Sequence, residues 1–232
     1  FDEAALAWSF SQRSLSDLTA TGLDLIQAAP AGWLYLLKLF VMVFGNTDFV
    51  LRVPSILSYV FVLVLVFYIS NSILKMRFPM ASAAFVASIP LMLQYSNVFK
   101  PYIFDCVIAL LLVVIYDKYI KETWSPVCVG LLFGIFLWFS NPACFIVGGM
   151  ILASGCYDLF QKNYGHIKNE IIVCIPVGVS FISYYFYWLR KVDNGMNGFW
   201  QDYKFPLIPT SISDLYKMKD LLPYAFDQGD LD

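Results

Sequence analysis

The sequence predicts an all-α protein, a polytopic transmembrane helix bundle, and three observations carry that prediction. The composition is too apolar for a soluble domain: of 232 residues 59% are hydrophobic, 18% aromatic and only 14% charged, with a mean hydropathy of +0.68. Soluble domains carry roughly 25% charged residues, and a chain of this length has too little interior to hide so much apolar surface from water. The apolar residues also fall in runs near the length that spans a bilayer, about 20 residues. Lysine and arginine, finally, collect in alternate connections between those runs, which is the bias that orients a membrane protein.

In chain order, residues 1–52 read as a first extracytoplasmic loop with juxtamembrane helices. The chain begins FDEAALAWSF, and no initiator methionine, basic leader or signal-peptide core precedes the acidic pair. That start reads as an internal piece of something longer, preceded by a crossing helix. Within the loop, WLYLLKLFVMVF at 33–44 is apolar but about half a span long, and Gly45 ends it. It reads as a helix in the membrane interface or packed along the bundle, with Trp33 and Tyr35 at headgroup level.

Residues 53–189 read as a six-helix transmembrane bundle, with spans at 53–72, 79–96, 102–120, 125–140, 142–161 and 170–189. Short connections make consecutive spans antiparallel neighbours. One set of connections holds Lys75, Arg77, Lys118, Lys121, Lys162 and Lys168, and the opposite set holds only Lys100. The first set is read as cytoplasmic. Residues 190–232, polar and punctuated by prolines, then read as a truncated extracytoplasmic loop.

Within the bundle, GLLFG at 130–134 has the spacing that lets two membrane helices approach closely, and Gly148 with Gly149 is read the same way. Pro79, Pro90, Pro142 and Pro176 mark kinks or helix starts. The five cysteines read as lipid-buried thiols, because each lies within or at the end of an apolar run and no CxxC pair occurs. His166, alone in the polar stretch QKNYGHIKN, reads as a solvated loop histidine. No basic stripe argues for nucleic acid, and neither phosphate-loop nor dinucleotide-binding fingerprint occurs. A DxD-type motif is missing, and DQGD at 227–230 reads as a turn.

Ionisable residues gather where this topology puts the outer membrane interface: Asp2, Glu3, Arg13, Lys100 and Asp105. Such groups persist at that depth when they are paired, hydrated or functional. Two readings stay open for most of them. Asp2 and Glu3 complement the dipole of a helix start, or do chemistry. Asp105 pairs with Lys100, or belongs to a site. Tyr95 and Tyr102 sit in the aromatic belt, or hydrogen-bond a substrate; Arg52 reads as a headgroup anchor.

Several stretches in order resemble a family. They are the acidic pair Asp2-Glu3 with QRSLSDL behind it, QAAPAGWLYLLKL at 27–39, FGNTDFVLRVPS at 44–55, YSNVFKPYIFD at 95–105 and WFSNPACF at 138–145. Together they are similar to the bacterial membrane glycosyltransferases of family 39 type, relatives of the protein O-mannosyltransferases and aminoarabinose transferases. Many relatives carry two prolines in the second stretch, often after a Glu-Lys, where this chain reads Gln27, Ala28, Ala29, Pro30. The resemblance implies a GT-C fold, and a chain that lacks the family's first membrane helix and its C-terminal part.

It also implies an enzyme that moves a sugar from a polyprenyl-phosphate carrier to an acceptor hydroxyl of a lipid, glycan or protein, at the outer face of the cytoplasmic membrane, with inversion. On that reading Asp2 is the general base and Glu3 its catalytic neighbour, orienting a loop, gripping a peptide-like acceptor or sharing a cation. Lys100 and Arg13 meet the charge on the leaving phosphate, while Gln27, Tyr95, Tyr102 and Asp105 complete the substrate-binding set. No cofactor is assigned; a divalent metal stays open, with no ligands named. Two other classes fit less well. A transporter or flippase of lipid-linked sugars calls for charged or broken helices near mid-membrane, and a non-catalytic assembly subunit would use the outer loops to grip a partner.

Overall fold

An apolar run becomes a helix here wherever a capping or proline residue opens it, and eight α-helices follow one another in this way between Ala31 and Tyr184. The computed structural model describes residues 29–190 and Asp17. These belong to the first of two compact units, Phe1–Val192; the second, Asp193–Asp232, lies outside the described residues, as does the loop expected at 190–232 beyond its first residue. Among the described residues no strand occurs.

Helix α1 (Ala31–Phe44) starts behind Pro30 and stops at Gly45. Its 14 residues reach about 21 Å, short of the roughly 30 Å hydrocarbon core. Its first half is buried through Trp33, Leu34 and Leu37, whereas Met42, Val43 and Phe44 are exposed. Helix α2 (Asp48–Tyr68) opens on Thr47, whose hydroxyl accepts the Val50 N–H at 3.3 Å, and continues through a π-helical turn at Ile69–Ile73. That cap satisfies one of the amides a helix start leaves without a partner.

The second expected span, 79–96, is two helices, α3 (Pro79–Ala87) and α4 (Pro90–Ser96). Pro90 is the cause. It lacks an N–H and pushes the preceding residue out of the helical region, and Ile89 is extended with ψ at 115°. Helix α5 (Tyr102–Ile120) returns across the bundle, followed by α6 (Pro126–Phe139), α7 (Ala143–Phe160) and α8 (Tyr164–Tyr184), the last running on through a π-helical turn at Tyr185–Leu189.

The side-chain oxygens of Ser125 and Asn163 cap α6 and α8. Helices therefore stand at all six expected places. Three of them are long and apolar enough to cross a membrane: Asp48–Ile73, Ala143–Phe160 and Tyr164–Leu189. With large apolar side chains such as Phe145, Leu152, Phe160 and Val179 turned outward, the fold is that of an all-α integral membrane protein.

The closest helix approach the sequence anticipated does occur. A Cβ on Gly130 would stand 2.7 Å from both the Val173 carbonyl and Pro176 Cγ, so α6 and α8 touch backbone to backbone there. Four residues on, Ser180 donates to the Gly134 carbonyl at 2.6 Å and accepts from the Trp138 indole at 3.1 Å. Gly148 and Gly149 differ from expectation, because nothing lies within 4 Å of a Cβ placed on either. They face away from the helix contacts.

His166 also departs from the sequence reading. It stands in the first turn of α8 with only 15% of its side chain exposed, and its Nδ1 lies 2.5 Å from Asp158 Oδ2. An aspartate eight residues earlier is invisible as a partner until α7 and α8 fold back on each other.

Candidate functional site

The turn at 97–101, between α4 and α5, carries Lys100, and α2 holds that turn in place. Arg52 Nε meets Asp48 Oδ2 at 3.3 Å while its Nη1 donates to the Asn97 carbonyl. One residue further along the turn, the Val98 carbonyl accepts from Ser55 Oγ at 2.9 Å and from the Lys100 amide at 2.8 Å. Phe99 is plugged into the core at 3% exposure. Arg52, read from the sequence as a headgroup anchor, thus braces the lysine-bearing turn.

Above that turn the predicted aromatic residues gather. The ammonium of Lys100 lies 5.8 Å from the Tyr102 ring centre, and the Tyr102 ring lies 4.9 Å from that of Tyr95. A cation at this distance is drawn to the ring's negative face, which holds the flexible lysine in one region. Three of the sequence-predicted residues therefore come together.

Asp105, one turn along α5, faces Ser140 and Tyr184. Ser140 closes α6, and Tyr184, at the end of α8, donates to Asn141 Oδ1 at 2.8 Å. Trp33 of α1 packs on Phe104, 5.0 Å between ring centres, and Trp188 donates to the Ala29 carbonyl at 2.9 Å. A Cβ on Gly32 would strike the Phe139 ring and the Trp138 carbonyl, so α1 lies directly on the end of α6.

Three buried polar atoms at this end, Trp33 Nε1, Asp105 Oδ1 and Ser140 Oγ, have no hydrogen-bond partner among the described residues. Each such group costs about 1–3 kcal/mol. Ser140, Asn141 and Tyr184 were not singled out from the sequence as site residues; the signal was WFSNPACF, which holds two of them.

Asp2, Glu3, Arg13 and Gln27 lie outside the described residues. Ala29, two positions after Gln27, is 1% exposed and fixed by Trp188. The chain thus enters α1 next to the Asp105 cluster.

An apolar cavity of about 470 Å³ adjoins the same cluster, between α1, α2 and α5. Leu36, Phe40, Leu57, Phe61 and Leu111 line it, and its one polar side chain, Ser58, already donates to the Pro54 carbonyl at 2.7 Å. The lining includes Pro54 and Phe104, the immediate neighbours of Ser55 and Asp105. The cleft is thus apolar and lies one residue along α5 from the half-buried Asp105, which suits an apolar chain as its occupant.

The fold is that of a helical membrane protein, and the family match gives its class, a glycosyltransferase. The chain belongs to the dolichyl-phosphate-mannose-protein mannosyltransferase family, whose model matches residues 28–188. No curated protein and no solved structure matches the chain.

Proposed function

We propose that the protein transfers a sugar from a polyprenyl-phosphate donor to an acceptor hydroxyl of a lipid, glycan or protein. The transfer inverts the anomeric carbon and takes place at the outer face of the cytoplasmic membrane. The observation that carries this reading is the family match over residues 28–188, supported by the Lys100, Tyr95 and Tyr102 cluster and by the apolar cavity lined in part by Phe104. The cavity lining takes the first isoprene units of the carrier, leaving the phosphate at the bundle end that holds Lys100, Tyr95 and Tyr102.

The chemistry follows from those positions. The leaving group is the lipid phosphate, whose charge grows as the glycosidic bond breaks, and a cation fixed away from bulk water stabilises it most. Lys100 supplies that cation, with Arg13 as the second. Tyr95 and Tyr102 confine the lysine and offer hydroxyls to phosphate or sugar. Asp2 takes the proton of the acceptor hydroxyl, a step worth about 10²–10⁴-fold, while Glu3 and Gln27 orient acceptor and sugar. Asp105, with one oxygen unpartnered among the described residues, receives a sugar or acceptor hydroxyl. In this scheme residues 1–52 form the outer loop, 53–189 the bundle and 190–232 a second outer loop.

The transport alternative asks for broken or charged helices at mid-membrane. The break between α3 and α4 is such a discontinuity, yet 79–96 holds no charged side chain. One experiment separates the two readings. Full-length protein in detergent, given radiolabelled polyprenyl-phosphate mannose and an acceptor, should transfer sugar without any sealed compartment, and Asp2→Asn should lose most of that turnover. Transport confined to sealed vesicles, with no transfer in detergent, would overturn the proposal.

A further inference from the structure

The opposite end of the bundle, rich in lysine, holds a group of side chains that the proposed transfer does not use. Asp158 ends α7, and His166 and Glu170 stand one turn apart on α8. One ligand atom from each lies within 4.8 Å of the other two. Both carboxylates are 5% exposed. Two acids this deep and this close repel each other and lose hydration, and a cation between them is the usual remedy.

A second, independent feature points the same way. Tyr119 of α5 is 4% exposed, and its hydroxyl faces the Glu170 carboxylate without reaching hydrogen-bond geometry to any acceptor among the described residues. Its ring lies 5.4 Å from the His166 ring, and its charged neighbours are Glu170 and Asp158. A phenol in that position is ready to donate to a metal-bound carboxylate or water. Ser154 already donates to Glu170 from one turn before Asp158, the kind of outer contact that orients a ligating carboxylate. Beside the group opens a cavity of about 410 Å³, lined by Tyr119, His166, Glu122 and Asn169, through which an ion and a water can enter.

We propose that Asp158, His166 and Glu170 bind a divalent first-row transition ion, with zinc the best fit, and so clamp the end of α7 to the start of α8. The donor set decides the class of ion: one imidazole nitrogen and two carboxylate oxygens suit zinc, manganese, iron or cobalt, whereas calcium and magnesium prefer oxygen alone. Histidine and glutamate spaced four apart on one helix face converge on one ion without bending the helix. In the metal-free arrangement Asp158 Oδ2 and His166 Nδ1 lie 2.5 Å apart. A tetrahedral zinc separates its ligands by roughly 3.3 Å, given bonds of about 2.0 Å. Ion entry therefore moves the two side chains apart by less than one bond length.

Cobalt(II) is the probe, because a four-coordinate cobalt site absorbs visible light. Full-length protein in detergent is stripped with chelator and titrated with cobalt chloride, then with zinc. The expected result is visible absorption that saturates at one ion per chain, is abolished by zinc and is lost in His166→Ala. Tyr119→Phe should keep the spectrum and weaken the affinity about tenfold.

The wild-type titration decides even if the His166 variant fails to fold. No saturable visible band, or an intense near-ultraviolet thiolate band that assigns the ion to the exposed Cys128, Cys156 or Cys174, overturns the site. So does a spectrum that His166→Ala leaves intact.

Discussion

The two ends of the bundle treat their polar side chains in opposite ways. At the lysine-rich end the buried carboxylates have local partners: Asp158 meets His166, and Glu170 meets Ser154. At the Lys100 end, Trp33 Nε1, Asp105 Oδ1 and Ser140 Oγ are buried without partners among the described residues. Tyr119 is the counterpart at the closed end, and it is the residue that points to an ion. The contrast teaches that the same scaffold is finished at one end and left open at the other. An open end is where a fold pays in stability for groups that must meet a substrate.

The largest expected effect tests that division of labour directly. Lys100→Ala should lower kcat/KM for sugar transfer by about 10²–10³-fold, the usual loss when one donor to a developing anion is removed. Lys100→Arg should restore part of it. The melting temperature should fall far less than transfer does, because Arg52 and Ser55 fix the turn through its backbone. Unchanged transfer in a folded Lys100→Ala protein would erase the distinction between the two ends.

Gly130→Val strikes the opposite property. Its branched side chain would drive into the Val173 carbonyl and the Pro176 ring at the α6–α8 contact. Overpacking of this kind costs about 1–3 kcal/mol. Thermal unfolding in detergent should fall by several degrees, whereas transfer per folded molecule should change little, since no substrate-facing residue moves. The same change at Gly148, which faces open space, should leave stability near wild type.

Asp105→Leu separates stability from function in a single residue. Replacing a buried acceptor that lacks a partner with an apolar side chain of similar size is neutral or stabilising, by up to about 1–3 kcal/mol. The variant should melt at or above the wild-type temperature and transfer sugar poorly. A lower melting temperature would mean that the carboxylate supports the fold, and would remove it from the open end.

How far the sequence reached follows the same physical lines. Helices were legible because apolar runs, capping residues and prolines act locally: α1 ends at Gly45, and Ser125 and Asn163 open α6 and α8. The Lys100, Tyr95 and Tyr102 cluster was legible because its members sit within eight residues of one another. The break at Ile89–Pro90 was blurred, since hydropathy runs unbroken across it and only the missing amide betrays it. The His166–Asp158 pair and the place of Ser140 beside Asp105 were illegible, because each needs two helices to fold back before the side chains come near each other. The brace that Arg52 forms was illegible for a like reason: its acceptor, the Asn97 carbonyl, is backbone, which no residue-type pattern reveals.

The smallest expected effect bounds the comparison from below. Lys121 Nζ lies 2.7 Å from Asp117 Oδ1 across one turn of α5, and half of the lysine side chain is exposed. An exposed pair of this spacing contributes about 0.2–0.5 kcal/mol, less at high salt. Lys121→Ala should therefore shift the melting temperature by a degree or so, and that shift should vanish as ionic strength rises. On the proposed topology its contribution lies in orientation, since lysines and arginines collect on the cytoplasmic side of membrane proteins. Insertion assays with Lys75, Arg77, Lys118, Lys121, Lys162 and Lys168 neutralised together should lose the single orientation that Lys121→Ala alone keeps. If the sixfold variant still inserts one way only, the basic residues do not define the inner face, and the assignment of the open end to the outside fails with it.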